Sequence, residues 1–368
     1  MLTYSFKDKQ LSRLGMGCMR LPTLDGDDSK VDIEATREMV AFALSHGINY
    51  IDTAWGYHFG NSEPVMGEVL HSFPRESFYL ASKFPGYDIE NIKRAPEIFE
   101  AQLSRCQVEY FDFYLFHCIT DGNIDGYLDR QYGLFDYLVE QKRKGRIRHL
   151  GFSTHSSLDT IRRFLEAYGD EIEFGQIQLN YLDYSFQNAK AKIELLKEYG
   201  IPVWVMEPVR GGALVNLSPA HQARLKALRP EASMAEWAFR FLQSIPDVAV
   251  TLSGMSNYAQ MEENVRIFTE SKPLNQEEWD TVLAIADEMI AEKKLPCTSC
   301  RYCTNYCPMS LNIPALIGLY NGKVAEGKEI VLGEEFSPTL CIGCQACEAV
   351  CPQNIKISEM MPRLASLL

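Results

Sequence analysis

The last fifth of the chain repeats one cysteine motif: Cys297-Thr-Ser-Cys300-Arg-Tyr-Cys303-Thr-Asn-Tyr-Cys307-Pro308, then Cys341-Ile-Gly-Cys344-Gln-Ala-Cys347-Glu-Ala-Val-Cys351-Pro352. Both copies read C-x2-C-x2-C-x3-C-P. This spacing lets three thiolates wrap one face of an iron–sulfur cubane while the fourth is carried onto a neighbouring cluster. The expected ligation is therefore crossed. Cys297, Cys300, Cys303 and Cys351 would hold one [4Fe–4S] cluster, and Cys341, Cys344, Cys347 and Cys307 the other. Zinc sites take their ligands in separated pairs, and disulfides belong to oxidising compartments; neither suits cysteines this dense. The three remaining cysteines, Cys18, Cys106 and Cys118, read as small buried residues.

The chain has 368 residues, 46% of them hydrophobic and 23% charged, as expected of a globular protein with one large domain and one small one. No apolar run is long enough to span a bilayer, and the N-terminal residues lack the apolar core of a signal peptide. The expected location is cytoplasmic, with no membrane partner. A net charge of −13 argues against a nucleic-acid partner, because phosphate backbones are bound by basic surface.

Ahead of the cysteines, short apolar runs alternate with amphipathic stretches, the rhythm of βα units around a parallel sheet. Strands are expected at 14–19, 49–52, 78–83, 111–117, 147–152, 175–179, 202–206 and 248–252. Between them, helices are expected over 32–46, 135–144 and 188–199, the first with Asp32 as its cap and Gly47 just past its end. Eight such units predict an α/β fold, a (β/α)8 TIM barrel. A doubly wound sheet is the rival, but Gly15-Met-Gly17-Cys-Met-Arg20 lacks the third glycine of a phosphate-binding turn. A further helix is expected over 275–294. The expected domains are thus 1–294, the barrel with its trailing helix, and 295–368, a small iron–sulfur domain that is mainly helical.

Active sites of barrels lie at the C-terminal ends of the strands. Three consecutive candidate strands end in Asp52, Lys83 and His117, and Tyr57 follows Asp52 in the adjoining loop. Singly, each has an ordinary structural reading; together they suggest a site. At this point the chain resembles the aldo-keto reductases. The matching residues are Gly47-Ile-Asn-Tyr-Ile-Asp52-Thr-Ala-Trp-Gly-Tyr57, Ser62-Glu63, Lys83, Asp112-Phe-Tyr-Leu-Phe-His117, Gly145-Arg-Ile-Arg-His-Leu-Gly151-Phe-Ser153, Gln178-Leu-Asn180 and Ser253-Gly-Met-Ser256. The whole chain is similar to the branch of that family with a C-terminal ferredoxin-like domain, and the cysteine segment resembles two-cluster bacterial ferredoxins.

The resemblance implies that a bound NADP(H) or NAD(H) delivers hydride to a carbonyl carbon while Tyr57 protonates the oxygen. A free phenol, with a pKa near ~10, is a poor proton shuttle. Lys83 beside it would favour phenolate, Asp52 would hold Lys83 charged, and His117 would donate a hydrogen bond to the carbonyl oxygen. Ser153 and Gln178, with Asn180 nearby, match positions that hold the nicotinamide carboxamide. Ser253, Gly254, Met255 and Ser256, with Gln260, Glu263 and Asn264, match the phosphate- and adenosine-binding region, where a helix N-terminus receives an anion. Arg210, in a long loop, would meet the cofactor pyrophosphate, a substrate carboxylate or solvent. The chain departs from the family pattern at Thr154, where Asn is common, and at Met206, where an aromatic commonly stacks on the nicotinamide. No Lys or Arg occupies 253–256, where many relatives grip a 2′-phosphate.

Three functions are then open. One is an NAD(P)H-dependent reductase of a small-molecule carbonyl substrate, its clusters structural or exchanging electrons with a partner protein. The second is a ferredoxin- or flavin-linked reductase fed through the clusters, although no flavin signature is visible. The third is a non-enzymatic redox sensor or electron-transfer subunit. Hydride carries two electrons and clusters pass one at a time, so a nicotinamide does not readily feed a cluster without a go-between.

Overall fold

The computed structural model describes residues 1–292, 294–332 and 337–368. It divides into two compact units: Met1–Pro208 with Ala232–Gln276, and Val209–Glu231 with Glu277–Leu368. The second unit thus takes the expected trailing helix, which runs Gln276–Ala291, and also the segment that follows the seventh barrel strand. Position 293, inside the expected helix, lies outside the described residues.

The first unit opens with a hairpin, β1 (Thr3–Phe6) and β2 (Lys9–Ser12), which the sequence pattern did not signal. Eight parallel strands follow: β3 (Leu14–Gly17), β4 (Tyr50–Asp52), β5 (Tyr79–Phe84), β6 (Phe111–Ile119), β7 (Ile147–Thr154), β8 (Phe174–Gln178), β9 (Val203–Met206) and β10 (Val248–Ser253). They close into a barrel in the order β10-β3-β4-β5-β6-β7-β8-β9. Closure removes the doubly wound alternative. All nine residues of β6 are buried, which fits a strand covered on both faces.

Alternation along each strand decides what fills the barrel. Tyr50, Ala81, Phe113, Leu115, Phe174, Trp204 and Val250 form one interior cluster with Phe6 and Leu11 of the hairpin. Phe6 sets its ring edge against Trp204, 5.3 Å between centroids, and against His149 at 5.1 Å, so the hairpin closes the N-terminal end. At the opposite end the same phase continues into polar residues. Asp52 follows Tyr50 by two, Lys83 follows Ala81, and His117 follows Leu115.

Helices cover the outside for the reasons expected. Asp32 caps Ile33–Ser45 by accepting from the Ala35 N–H at 3.0 Å. Ser157 likewise caps Leu158–Tyr168, whose Ile161, Phe164 and Leu165 are buried on one face. No helix among the described residues is long and apolar enough to cross a membrane.

The second unit is mainly helical, and its two cysteine motifs fold alike. Ser299 and Arg301 in the first copy, and Gly343 and Gln345 in the second, have φ between 54° and 71°. A one-turn helix follows each, Tyr302–Asn305 and Ala346–Ala349. Longer helices, Ile313–Glu326 and Ile357–Ala365, then pack through Leu316, Ile317, Met360, Met361 and Leu364 into one small core.

Candidate active site and cysteine cages

The four residues singled out at the strand ends come together. Lys83 is wholly buried, and its Nζ donates to Asp52 Oδ1 at 2.6 Å and to the Thr53 carbonyl at 2.8 Å. It lies 4.8 Å from the Tyr57 ring centroid and hydrogen-bonds the Tyr57 side chain. The Tyr57 and His117 rings meet edge to face, 6.1 Å between centroids, and Tyr87 meets His117 likewise at 5.4 Å.

Local structure explains why Tyr57 reaches Lys83. It begins a tight turn, Tyr57–Gly60, in which His58 and Phe59 both have left-handed φ near 55°. That strained conformation is held by the His58 imidazole. Nε2 accepts from the Leu21 N–H at 3.1 Å, and Nδ1 sits 2.9 Å from the Asp28 carbonyl, which assigns the proton to Nδ1. The next helix, Ser62–Leu70, presents Glu63 to the back of β5. Glu63 Oε1 accepts from Ser82 Oγ at 2.7 Å and from Gln102 Nε2 at 2.6 Å. Ser82 therefore fixes one face of β5 while its neighbour Lys83 occupies the other.

The electrostatics follow from burial and proximity. Burial works against a charged Lys83, but the Asp52 carboxylate and then Tyr57 outweigh it, and Lys83 is held above the ordinary lysine range. Burial also raises Asp52, with Lys83 opposing. Two acceptor oxygens close to Nζ fit a charged ammonium, so we read the pair as ammonium and carboxylate. Burial, then the Lys83 charge, then His155, push His117 well below the usual imidazole range, leaving it neutral.

The residues matched to a cofactor lie as follows. Ser153 Oγ accepts from the Cys118 N–H at 2.9 Å. Gln178 and Asn180 each donate to Asp183 Oδ2 at 2.7 Å, and Asn180 also donates to the Glu207 carbonyl at 2.9 Å. Thr154 Oγ1 donates to the Ile119 carbonyl at 2.9 Å, and Met206 Sδ lies 3.7 Å from Gln176 Nε2. At the end of β10, Ser253 Oγ accepts from Asn264 Nδ2 at 3.0 Å, Gly254 is exposed and Met255 is buried. The Ser256 N–H donates to Gln260 Oε1 at 2.8 Å, ahead of a helix, Tyr258–Ile267, whose second turn carries Glu263. Arg210 belongs to the second unit, where its Nη1 lies 3.4 Å from the Pro296 carbonyl, next to Cys297. Beside it, a Cβ on Gly211 would fall 2.2 Å from the Thr298 carbonyl oxygen, so only glycine fits there.

The eight C-terminal cysteines ring two cavities in the second unit. One is lined by Cys297, Cys300, Cys303 and Cys351; the other by Cys307, Cys341, Cys344 and Cys347. The two sets are those of the crossed arrangement. None of these cysteines is in a disulfide. Among the described residues, no group of three or more His, Cys, Asp or Glu is close enough to hold a lone metal ion. Four thiols converging on each cavity match the all-cysteine ligand set of a [4Fe–4S] cluster.

Comparison with known proteins finds a match for each part of the chain. The Aldo/keto reductase family model matches residues 13–287, and the 4Fe-4S dicluster domain model matches residues 296–355. The NADH-specific methylglyoxal reductase of Escherichia coli is 30% identical over 233 residues, covering 57% of this chain and 67% of that protein. The L-galactose dehydrogenase of Arabidopsis thaliana is 26% identical over 292 residues, covering 73% and 88%. Among solved structures, an aldo-keto reductase from Bacillus halodurans in its holo form superimposes with a TM-score of 0.63 at 26% identity, over 77% of this chain and 96% of that one.

Proposed function

This chain belongs to the aldo/keto reductase family and carries a 4Fe-4S dicluster domain, and from that premise we propose that its barrel reduces an aldehyde or ketone to an alcohol with NADH or NADPH. The observation that carries the reading is the buried Lys83 ammonium held between Asp52 and Tyr57 beside a neutral His117. When bound, the reduced nicotinamide supplies a hydride to the carbonyl carbon. Tyr57 gives its phenolic proton to the oxygen. The Lys83 charge stabilises the phenolate left behind, and Asp52 keeps that charge in place. His117, being neutral, has an N–H to donate to the oxygen as negative charge grows there.

Ser153, Gln178 and Asn180, all buried, are the residues that would face a nicotinamide carboxamide; Asn180 gives both its N–H groups to Asp183 and the Glu207 carbonyl, so its part would be to hold that wall in place. The methylglyoxal activity of the Escherichia coli relative makes small dicarbonyls the first substrates to try. Each cysteine cage would hold one [4Fe–4S] cluster, able to pass single electrons. In anaerobic protein with iron intact, Tyr57→Phe should lower nicotinamide oxidation by methylglyoxal at least about a hundredfold, the general range for a lost general acid. Unchanged activity in that variant would sink the mechanism.

A second reading rests on Cys344, the one exposed ligand candidate among the eight. Its cage is open to a single-electron donor, so the clusters would feed the barrel from outside. Turnover with a reduced ferredoxin but with neither nicotinamide would favour that route.

A further inference from the structure

Strand β6 does not end cleanly at His117. Its pairing with β7 slips between Phe116 and Ile119, and Cys118 adopts φ +55°, a region that residues with a Cβ seldom enter. Three side chains hold this kink. The Cys118 N–H donates to Ser153 Oγ at 2.9 Å, and the Cys118 carbonyl accepts from Asn123 Nδ2 at 2.8 Å. The Tyr127 hydroxyl donates to the carbonyl of His117 itself.

Tyr127 is a built component rather than a filler. It is 1% exposed, on the short helix Ile124–Leu128, and the Tyr168 hydroxyl donates to its backbone carbonyl at 3.2 Å. Its ring occupies the space over Gly86, where a Cβ would fall 2.5 Å from Cε1. The Gly86 N–H itself donates to the Phe84 carbonyl at 2.9 Å, so the residue under the ring is fixed. Gly86 comes three residues after Lys83, so one phenol ties the end of the strand carrying Lys83 to the end of the strand carrying His117. Asn123 secures the other side of the kink, since its Oδ1 also accepts from the Thr120 N–H at 2.8 Å.

We infer that Tyr127 and Asn123 are positioning residues, which aim His117 at the substrate carbonyl through the His117–Cys118 kink. The inference rests on the carbonyl-reductase reading above. Neither side chain touches the reacting atoms. Their loss lets the imidazole drift, and misalignment of a catalytic group costs rate more than binding.

The test is a pair of double-mutant cycles on the anaerobic full-length holoprotein, assayed with methylglyoxal and the preferred nicotinamide. Tyr127→Phe and Asn123→Ala should each lower kcat about tenfold while KM for the nicotinamide stays within about twofold, the scale of one lost hydrogen bond expressed only in the transition state. In a His117→Ala background the same substitutions should change kcat by less than about twofold, because the group they position is gone. Equal losses with and without His117 would make the two residues merely structural and overturn the inference, as would full activity in both single variants. A His117→Ala protein that works at the wild-type rate would overturn the reading of the site itself, and the inference with it. Asn123 is half-buried, so its cycle decides the question even if Tyr127→Phe does not fold.

Discussion

Replacing Lys83 with Met keeps the length of the side chain and removes its charge. The structure sets the size of the effect. Lys83 is 0% exposed and Asp52 3% exposed, so the substitution strands a carboxylate with no counter-charge in the barrel mouth. Breaking a buried ion pair from one side typically costs about 3–5 kcal/mol, whereas replacing both partners by neutral groups is often nearly neutral. Lys83→Met should therefore lower the thermal midpoint by about 6–20 °C for a unit of this size, and Asp52→Asn in the same protein should recover most of that loss. Both variants should be inactive, which separates stability from catalysis.

The deficit should also depend on pH. Burial raises Asp52 and Lys83 opposes that rise, so removing Lys83 lifts the folded carboxyl further above its unfolded value of about 3.9. A group raised in the folded state contributes stability that is present below the unfolded pKa and lost as pH rises through the folded one. The Lys83→Met deficit should thus be larger at pH 8 than at pH 5. Circular dichroism melts of anaerobic protein at the two pH values measure it. A single variant within about 1 kcal/mol of wild type, or a double variant no better than the single, would refute the description of a buried charged pair.

Two further outcomes check other parts of the structure. His155 is pushed down to about 4, first by burial and then by the Lys192 charge, with the Gln178 hydrogen bond opposing. The unfolded chain then takes up its proton first, so stability held above about pH 6.5 should fall as pH drops toward 4, and His155→Gln should flatten that slope in denaturant titrations. An unchanged slope would count against an imidazole held neutral in the fold. Cys351→Ser should cut iron from about eight to about four per chain, and adding Cys297→Ser should remove no more, because both line one cage. Near-complete loss of iron in the double variant would mean that each motif holds its own cluster.

Much of this was legible in the sequence because simple local patterns carry it. Parallel strands buried on both faces read as apolar runs, and the eight found lie within a few residues of the eight expected, from Leu14–Gly17 to Val248–Ser253. Asp52, Lys83 and His117 close three consecutive expected strands, which is how three separated residues could be proposed as neighbours. The cysteine spacing did the same for the cages. What was not legible depends on contacts that leave no local pattern. The four-residue strands β1 and β2 are too short to show a period, and Phe6 reveals its place only against Trp204 and His149. Tyr127 and Asn123 act on backbone groups of β6, and a side chain aimed at a carbonyl has no sequence signature. For Arg210 the sequence left a cofactor pyrophosphate, a substrate carboxylate and solvent open, and it held no sign that left-handed φ at residues 210–212 turns this loop onto Pro296 and Thr298, more than eighty residues away.

The central claim is that the barrel moves a hydride directly, with electrons arriving as a pair and not one at a time through the cages. The most direct measurement is a single turnover of the anaerobic holoprotein with methylglyoxal and a nicotinamide deuterated on the transferred position, followed by mass spectrometry of the alcohol. Direct transfer between bound partners predicts one deuterium on the former carbonyl carbon, from one face of the nicotinamide only, in wild type and not in Tyr57→Phe. Product formed at the same rate with a solvent hydrogen at that carbon would contradict it, because electrons passing singly through clusters or a flavin would leave the deuterium behind.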